Sequence, residues 1–406
     1  MRESWYYRCM LQIRRVSLPL LLTLTCNLTL FAAGRNTQPP AVIGYVFPQN
    51  HLLQPGEVAV QKLTRINYAF ANIKDGRIVE GYATDPANFA ALNAMRKQNP
   101  SLTILVSVGG WLWSGNFSDT VLTKQSRKVF IDSVVAFIEK YNLDGLDIDW
   151  EYPGQIGAGN RFRAEDKQNY TAVLKELRER FDQEQKKLHR RLYLSIAAGT
   201  NEQWLDHTEM GAVARYVDQV DVMAYDYYEP GDEPTTGHNA PLFTNPADPK
   251  QVSADKSVRA FEQAGVPASK IVLGVPFYGH EWGQVPPQNH GLFQPGKAVP
   301  GAMASYANIT ANMLNATGPD QGFVRYWDAA SRVPWVYNAN SRIFVSYDDP
   351  QSMALKCRYV LRHHLAGLMF WDYESDPSGA LLDTVDATLL HQKSAAKRTK
   401  MAAAQK

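Results

Sequence analysis

The chain has 406 residues, of which 45% are hydrophobic and 20% are charged. A chain of this size and composition can bury a large core, and it is neither disordered throughout nor collagen-like. The formal net charge is +2, but residues 1–33 carry +3 and residues 391–406 carry +5, which leaves −6 for the residues between them. Because an acidic body binds the phosphate backbone of nucleic acids poorly, this distribution argues against a nucleic-acid partner.

Residues 16–33 form an apolar run that follows an arginine pair and ends in small residues. This pattern is typical of a signal peptide, and it predicts that residues 1–33 are removed during export. A membrane anchor is the alternative, which a proline, an asparagine and several threonines within the run disfavour. We therefore expect a secreted or periplasmic protein that does not contact a membrane after cleavage, with a basic, flexible tail at residues 391–406.

Short apolar, β-branched runs alternate with amphipathic stretches along the body of the chain. The runs predict eight strands, at 41–46, 64–70, 102–108, 143–151, 192–197, 219–225, 271–278 and 366–371. Helical periodicity is clear at 125–141, 166–187, 252–264 and 350–363. Strands that alternate with helices form a parallel sheet, and eight is the number that closes a barrel. The sequence therefore predicts an α/β fold, a (β/α)8 TIM barrel.

The alternation of predicted strands and helices is interrupted in the interval from about 279 to 348. It contains two aromatic, strand-like pieces, Phe323–Asp328 and Pro334–Tyr347, and a polar helical stretch. These features predict a small α+β insertion between the seventh and eighth barrel strands. Its tryptophans, among them Trp282 and Trp335, either line a cleft or form the core of the insertion.

The fourth predicted strand is strongly acidic and contains Asp147, Asp149 and Glu151, which we call the acidic triplet. Side chains alternate along a strand, so the triplet shares one face and the intervening apolar residues share the other. If the apolar face packs against helices, the triplet lines the barrel interior up to its carboxyl end. Neighbouring carboxylates ~6.6 Å apart in a desolvated channel must hold at least one proton. That arrangement raises a carboxyl pKa, as a general acid working near neutral pH requires.

A divalent-metal site is the alternative use of three carboxylates. No histidine and no second acidic cluster accompanies the strand in the sequence, so acid catalysis is favoured and no metal or other cofactor is expected.

The run Asp-Gly-Leu-Asp-Ile-Asp-Trp-Glu at 144–151 resembles the signature of glycoside hydrolase family 18, the chitinases and their relatives. Further motifs of that family follow in order along the chain: Ser107-Val-Gly-Gly110, Met223-Ala-Tyr-Asp226, Gly274-Val-Pro-Phe-Tyr-Gly279 and Trp371. The resemblance spans residues 41–390, and the insertion is similar to that of the bacterial exo-type enzymes. It implies that residues 34–390 form a catalytic barrel that hydrolyses β-1,4 bonds between N-acetylglucosamine units.

The resemblance also implies roles for individual residues. Glu151 would be the general acid and base, Asp149 would orient the substrate acetamido group with Asp147 as its partner, and Tyr225 would bind the acetamido carbonyl. The acetamido group itself would be the nucleophile, and the anomeric configuration would be retained. The implied substrate-binding residues are Tyr45, Ser107, Trp111, Met223, Asp226, Tyr278 and Trp371. Tyr227 and Tyr228, in the loop after the sixth strand, are candidates for further sugar contacts, with packing as the alternative. The expected partner is chitin or a chitooligosaccharide, bound by a monomer.

Two other functions stay open at this stage. One is hydrolysis of another glycan that contains N-acetylglucosamine, and the other is chitin binding without turnover, as in lectins on the same fold. Such lectins lose the acid at the end of the motif, so Glu151 favours an enzyme. Two departures from the family pattern concern the rim of the cleft. Residues 227–231 lack a tryptophan that many relatives carry there, and His280 stands where arginine is common.

Overall fold

The computed structural model describes residues 39–200, 202–315 and 322–391. The predicted signal peptide and all but the first residue of the predicted tail lie outside the described residues, so both stay predictions.

Within the described residues the chain forms fourteen strands and ten α-helices. The strands are β1 (Ala41–Val46), β2 (Arg65–Lys74), β3 (Arg77–Val79), β4 (Thr103–Gly109), β5 (Gly145–Asp149), β6 (Tyr193–Ala198), β7 (Gln219–Val222), β8 (Ile271–Pro276), β9 (Tyr278–Gly283), β10 (Lys297–Ser305), β11 (Phe323–Asp328), β12 (Val333–Asn338), β13 (Ile343–Ser346) and β14 (Gly367–Trp371). The helices are α1 (Asp85–Met95), α2 (Phe117–Thr120), α3 (Lys124–Lys140), α4 (Asp166–Leu188), α5 (Glu202–Asp206), α6 (Met210–Val213), α7 (Ala254–Gln263), α8 (Tyr306–Asn308), α9 (Pro350–Arg362) and α10 (Ala380–Leu389).

Eight parallel strands close into a barrel in the order β1, β2, β4, β5, β6, β7, β8 and β14, and β14 pairs with β1. The predicted TIM barrel is therefore confirmed, and all eight predicted strands are present, the first with the predicted bounds and the others with shifted ends. The register sets Ser107 of β4 and Ser195 of β6 directly beside Asp147 of β5. Strand pairing alone thus places two hydroxyl groups on either side of a buried carboxylate.

Three strands, β5, β7 and β8, end earlier than predicted at the carboxyl end of the barrel, which we call the mouth, and β8 ends at Pro276. β5 ends at Asp149, whose carbonyl oxygen accepts a hydrogen bond from the Gly110 N–H, just after β4, at 2.7 Å. The pairing stops there because the next N–H on that side, that of Glu151, donates to the Ser114 hydroxyl at 2.9 Å. β7 ends at Val222, and the chain then turns through Asp226 with a φ of 58°. Glu151 and Asp226, which follow these ends, are both partly exposed.

The segment between β8 and α9 forms a five-stranded antiparallel sheet in the order β10, β9, β13, β12, β11. The sequence analysis recognised β11 but read β12 and β13 as one piece and missed β9 and β10. The Asn338 side chain separates β12 from β13, since its Oδ1 accepts the N–H groups of Asn340 and Ser341 in a turn. Trp282 is fully buried and Trp335 is 6% exposed, so both belong to the core of this sheet and do not line a cleft.

The apolar face of β5 packs outward as predicted. Leu146, Ile148 and Trp150 are buried in the layer between the barrel and its helices, and the Trp150 ring stacks on Phe117 with centroids 5.1 Å apart. Burial of these three side chains fixes the register of β5 and directs the alternate residues into the barrel. In the part of the chain that the structure describes, none of the helices has the length and apolar character needed to cross a bilayer.

Candidate active site

Asp147 lies at the bottom of the acidic triplet and is fully buried inside the barrel. Three hydroxyl groups donate to it: Tyr45 at 2.8 Å and Ser107 at 2.7 Å to Oδ2, and Ser195 at 2.7 Å to Oδ1. Burial raises the pKa of Asp147, and the hydroxyl groups oppose that effect. Charge-assisted hydrogen bonds of this length hold the carboxylate in one orientation.

Asp149 lies one layer above and is 5% exposed. Its pKa is raised well above the usual range by burial and by the neighbouring carboxyl groups, Glu151 first. Its Oδ1 has no hydrogen-bond partner among the described residues, although buried polar atoms are nearly always paired. The backbone around it is closely packed, because a Cβ on Gly109 would overlap the Asp149 carbonyl oxygen. The backbone of Asp149 is therefore closely packed, and its side chain carries a buried oxygen that no described residue satisfies.

Glu151 follows β5 and is partly exposed at the mouth. Burial raises the pKa of Glu151 to about 7, a hydrogen bond from Tyr152 opposes the rise, and the charges of Asp226 and Glu229 add to it. A carboxyl group with this pKa exchanges its proton near neutral pH, which suits a general acid that later acts as a base. The triplet thus provides three carboxyl groups with three different environments.

The loop after β7 brings Tyr225 and Asp226 to the same mouth. Tyr225 is 8% exposed, and burial raises its pKa well above the usual range, with Asp226, Asp149 and Glu151 adding to the rise. The Asp226 carboxylate accepts from the Tyr278 hydroxyl at 2.6 Å and lies 2.7 Å from His280 Nε2, with both contacts at Oδ1. The insertion therefore supplies two side chains to this site through β9.

Aromatic side chains cover one side of the mouth. Trp371, at the end of β14, stacks on Phe70 with centroids 5.4 Å apart, and its ring also contacts Tyr45 and Phe47. Trp371 stays partly exposed, so its open face can meet the apolar face of a sugar ring. Met223 is also partly exposed and packs in the same cluster. Trp111 is 51% exposed and contacts Tyr152 edge to face.

Two tyrosines that the sequence offered as further sugar contacts do not reach the cleft. Tyr227 and Tyr228 are buried, and their hydroxyl groups bond to Ser257 at 2.7 Å and Asp248 at 2.5 Å. Both therefore pack the loop after β7 against the barrel.

Sequence reasoning missed several residues beneath and beside the triplet. Asp221 of β7 is fully buried with a strongly raised pKa, caused by burial and by Asp147, and Asn67 Nδ2 lies 3.4 Å from its Oδ2. Period-two alternation on β6 and β7 would have placed Ser195 and Asp221 in the interior. No local signal pointed to Glu229.

The sequence shows no histidine and no second acidic cluster near the triplet, but in the folded protein a histidine and two carboxyl groups lie together at the mouth. Ligand atoms of Asp226, Glu229 and His280 all lie within 4.8 Å of one another. The Asp226 oxygen that faces His280 already accepts from Tyr278, so the cluster is satisfied internally. The expectation of no metal stays a prediction.

A family model described as glycosyl hydrolases family 18 matches residues 41–376. The chain belongs to this family. The match contains the whole barrel and the insertion, and with them the acidic triplet and every residue described at the mouth. The protein is thus a glycoside hydrolase.

Several curated relatives are chitinases. Chitinase A1 of Niallia circulans is 37% identical over 316 residues, which are 74% of this chain and 44% of that protein. This chain therefore spans less than half the length of Chitinase A1. Chitinase B of Serratia marcescens is 29% identical over 430 residues, which are 85% of this chain and 83% of that protein.

Solved structures agree with the barrel. A family 18 N-acetylglucosaminidase from Paenibacillus barengoltzii superposes with a TM-score of 0.78 at 39% identity, covering 86% of this chain and 100% of that chain. A Group IV chitinase of Ostrinia furnacalis, solved in complex with allosamidin, gives a TM-score of 0.77 at 27% identity, covering 86% of this chain and 98% of the other.

Proposed function

We propose that this enzyme is a chitinase that hydrolyses β-1,4 bonds between N-acetylglucosamine units by a substrate-assisted, retaining mechanism. The observation that carries the proposal is the pairing of two carboxyl groups on one strand end. Glu151 holds a proton near neutral pH, and Asp149 beneath it offers a buried oxygen without a partner among the described residues. The first suits protonation of a glycosidic oxygen, and the second suits the N–H of an acetamido group.

In the first step Glu151 donates its proton to the oxygen between two sugars, and the bond from that oxygen to the anomeric carbon breaks. The carbonyl oxygen of the substrate's own acetamido group attacks the anomeric carbon and forms an oxazolinium ion. Asp149 accepts the acetamido N–H, and the Tyr225 hydroxyl donates to the acetamido oxygen. A nucleophile within the substrate avoids much of the entropic cost of bringing two reactants together.

In the second step Glu151, now ionised, removes a proton from a water molecule that attacks the anomeric carbon. The oxazolinium ring opens, and Glu151 regains its proton. The acetamido group and the water attack opposite faces in turn, so the configuration at the anomeric carbon is retained.

The aromatic side of the mouth supplies the binding surface in this proposal. Trp371 supports the sugar that carries the reacting acetamido group, and the exposed Trp111 extends the surface beyond it. Met223, Asp226 and Tyr278 line the pocket, whereas Tyr45 and Ser107 act from below by holding Asp147. A class V chitinase of Nicotiana tobaccum with the same barrel, at 26% identity, was solved in complex with NAG4, which supports an oligosaccharide of N-acetylglucosamine as the ligand class.

Hydrolysis of chitooligosaccharides with anomer analysis tests the proposal. The enzyme should release products whose new reducing end is initially the β-anomer, and it should leave glucan oligomers of the same length intact. Glu151→Gln keeps the shape of the side chain but lacks the acid, so it should lose at least 100-fold in kcat and still bind the oligomer. Initial α-anomer, or near-native turnover by Glu151→Gln, would refute the mechanism.

A second candidate is release of single N-acetylglucosamine units from chain ends, because the Paenibacillus barengoltzii relative is described as an N-acetylglucosaminidase. Product analysis on a chitohexaose separates the two, since an end-acting enzyme accumulates the monosaccharide from the first turnovers. Peptidoglycan and N-glycan substrates belong in the same assay.

We also infer that the enzyme acts outside the cytoplasm. The inference rests on the apolar run after the arginine pair within residues 1–33, and it expects a mature amino terminus near residue 34. Sequencing the amino terminus of protein expressed with its full leader tests it, and an uncleaved chain in the cytoplasmic fraction would contradict it.

A further inference from the structure

The loop after β7 carries a carboxyl group that the mechanism above does not use. Glu229 is partly buried, and its carboxyl lies within 4.8 Å of ligand atoms of Asp226 and His280. The loop holds it in place, since the Glu229 carbonyl accepts the Glu233 N–H at 3.0 Å and the Asp226 N–H donates to Asn239 at 2.9 Å. Glu229 is therefore a fixed neighbour of the active site.

The charged groups around Glu151 come from three elements. β5 contributes Asp149, the residue after Glu151 contributes the Tyr152 hydroxyl, and the loop after β7 contributes Asp226 and Glu229. Glu229 in turn faces Asp226 and Asp232 on its own loop and His280 on β9. Lys250 reaches this loop and is paired with Glu233.

We propose that Glu229 is a positioning residue for the reaction, and that its charge beside Asp226 keeps Glu151 in the protonated form that donates to the leaving group. This inference rests on the proposed function. Asp226 and Glu229 lie close together on one loop, and the charges of both act on Glu151 at the partly desolvated mouth, so the three carboxyl groups cannot all ionise at low cost. While Glu229 and Asp226 carry negative charge, Glu151 releases its proton at a higher pH than it would alone.

The electrostatics agree with this geometry. The pKa of Glu229 is raised to about 7 by burial and by Asp226, and His280 opposes the rise. The pKa of Glu151 is likewise about 7, with Asp226 and Glu229 both adding to it. Groups that influence one another in this way titrate as a set, so removal of one carboxyl must displace the titration that the other shows.

The opposing effect of His280 gives an independent way to test the same idea. His280 lies on the insertion, with Nε2 2.7 Å from Asp226 Oδ1 and within 4.8 Å of the Glu229 carboxyl. A permanent positive charge at that position neutralises the field of Asp226 and Glu229 at Glu151. The insertion would thus set the pH range of the enzyme without contacting the reacting atoms.

The test is the pH profile of kcat/KM on chitotetraose, which carries no titrating group. Glu229→Gln removes the charge and keeps the shape, so the alkaline limb should move down by roughly one pH unit. Glu229→Asp retains a carboxyl group, so its alkaline limb should lie close to that of the unmodified enzyme. His280→Arg should move the limb in the same direction as Glu229→Gln, which covers the case in which one variant does not fold.

Glu281→Gln is the matched control. Glu281 neighbours His280 on β9, is partly buried and has a pKa raised by burial alone, but alternation directs its side chain to the opposite face of the strand. Its variant should leave the limb in place. An unmoved limb in Glu229→Gln and His280→Arg, or a change in KM alone, would overturn the proposal. Absence of turnover by the unmodified enzyme would instead refute the proposed function.

Discussion

Raising the pH from 6 to 8 should remove most of the activity on a neutral chitooligosaccharide while the fold is intact. Glu151 must be protonated to donate to the leaving oxygen, and its pKa is about 7. The protonated fraction therefore falls from about 90% at pH 6 to about 9% at pH 8, and kcat/KM should fall about tenfold with it.

The magnitude comes from the surroundings of Glu151. An ordinary glutamate has a pKa of 4.5, and the difference from about 7 corresponds to about 3 kcal/mol against ionisation. Burial is the largest contribution, followed among the unfavourable ones by the charges of Asp226 and Glu229. If Glu151 were simply solvated, the acid form would already be lost below pH 6.

Initial rates of chitotetraose cleavage, measured by chromatography of the products between pH 4 and 9, give the profile. Thermal melting at each pH separates loss of the acid from loss of the fold, and Glu151→Gln reports the activity that remains without the acid. A limb near 4.5 would refute the assignment of a buried, proton-holding Glu151. So would a limb near 7 that persists in Glu151→Gln, because another group would then be titrating.

The remaining predictions concern three side chains around the triplet. Asp149→Asn should lower kcat by about 100-fold or more, because the developing positive charge loses its carboxyl partner; a change of less than tenfold in single-turnover rates would count against the role. Tyr225→Phe should lower kcat by a similar factor with little change in KM, since the hydroxyl acts on the acetamido oxygen as it becomes a nucleophile; a change in KM alone would make Tyr225 a binding residue only. Asp221→Asn should stabilise the protein as the pH rises. The pKa of Asp221 is much higher in the folded protein than in the unfolded chain. Above about pH 4 Asp221 is ionised in the unfolded chain but still protonated in the folded protein, so the wild type loses folding stability as the pH rises. The gain, measured by urea unfolding, should be near zero at pH 4 and grow by up to about 1.4 kcal/mol per pH unit up to the folded pKa, and a gain independent of pH would contradict this reasoning.

The barrel could be predicted because its signals are local. Each of its strands is a short apolar run, and the alternation around Asp147 gave the correct buried face, since Trp150 and its apolar neighbours must pack against helices. The strand ends were wrong because they depend on partners elsewhere. β5 stops at Asp149 where the Gly110 and Ser114 contacts begin, and neither contact has a signature within 143–151.

The site was predictable only as far as it lay on recognisable motifs. Tyr45 and Ser107 lie on such motifs and were expected to bind substrate, and the structure shows the hydroxyl groups of both donating to Asp147. Glu229 and His280 are 51 residues apart in the sequence and meet only because β9 of the insertion folds back over the mouth. The prediction that Tyr228 contacts a sugar was wrong, because its hydroxyl group bonds to Asp248 instead. The sequence alone does not distinguish these two roles for an aromatic residue that follows a barrel strand.

The triplet shows why residue type and spacing do not by themselves assign chemical roles. Its three carboxyl groups lie on one strand end at regular spacing, yet each has a different set of neighbours. Three hydroxyl groups satisfy Asp147, Asp149 has an oxygen that no described residue satisfies, and Glu151 faces other carboxyl groups at the mouth. Hydroxyl donors favour a fixed anion, an unpaired acceptor favours a substrate N–H, and like charges favour a retained proton. The different roles of the three carboxyl groups therefore come from the strands and loops that surround β5. Substitutions in those neighbouring residues should change the rate or the pH dependence of the reaction even though the triplet itself is intact.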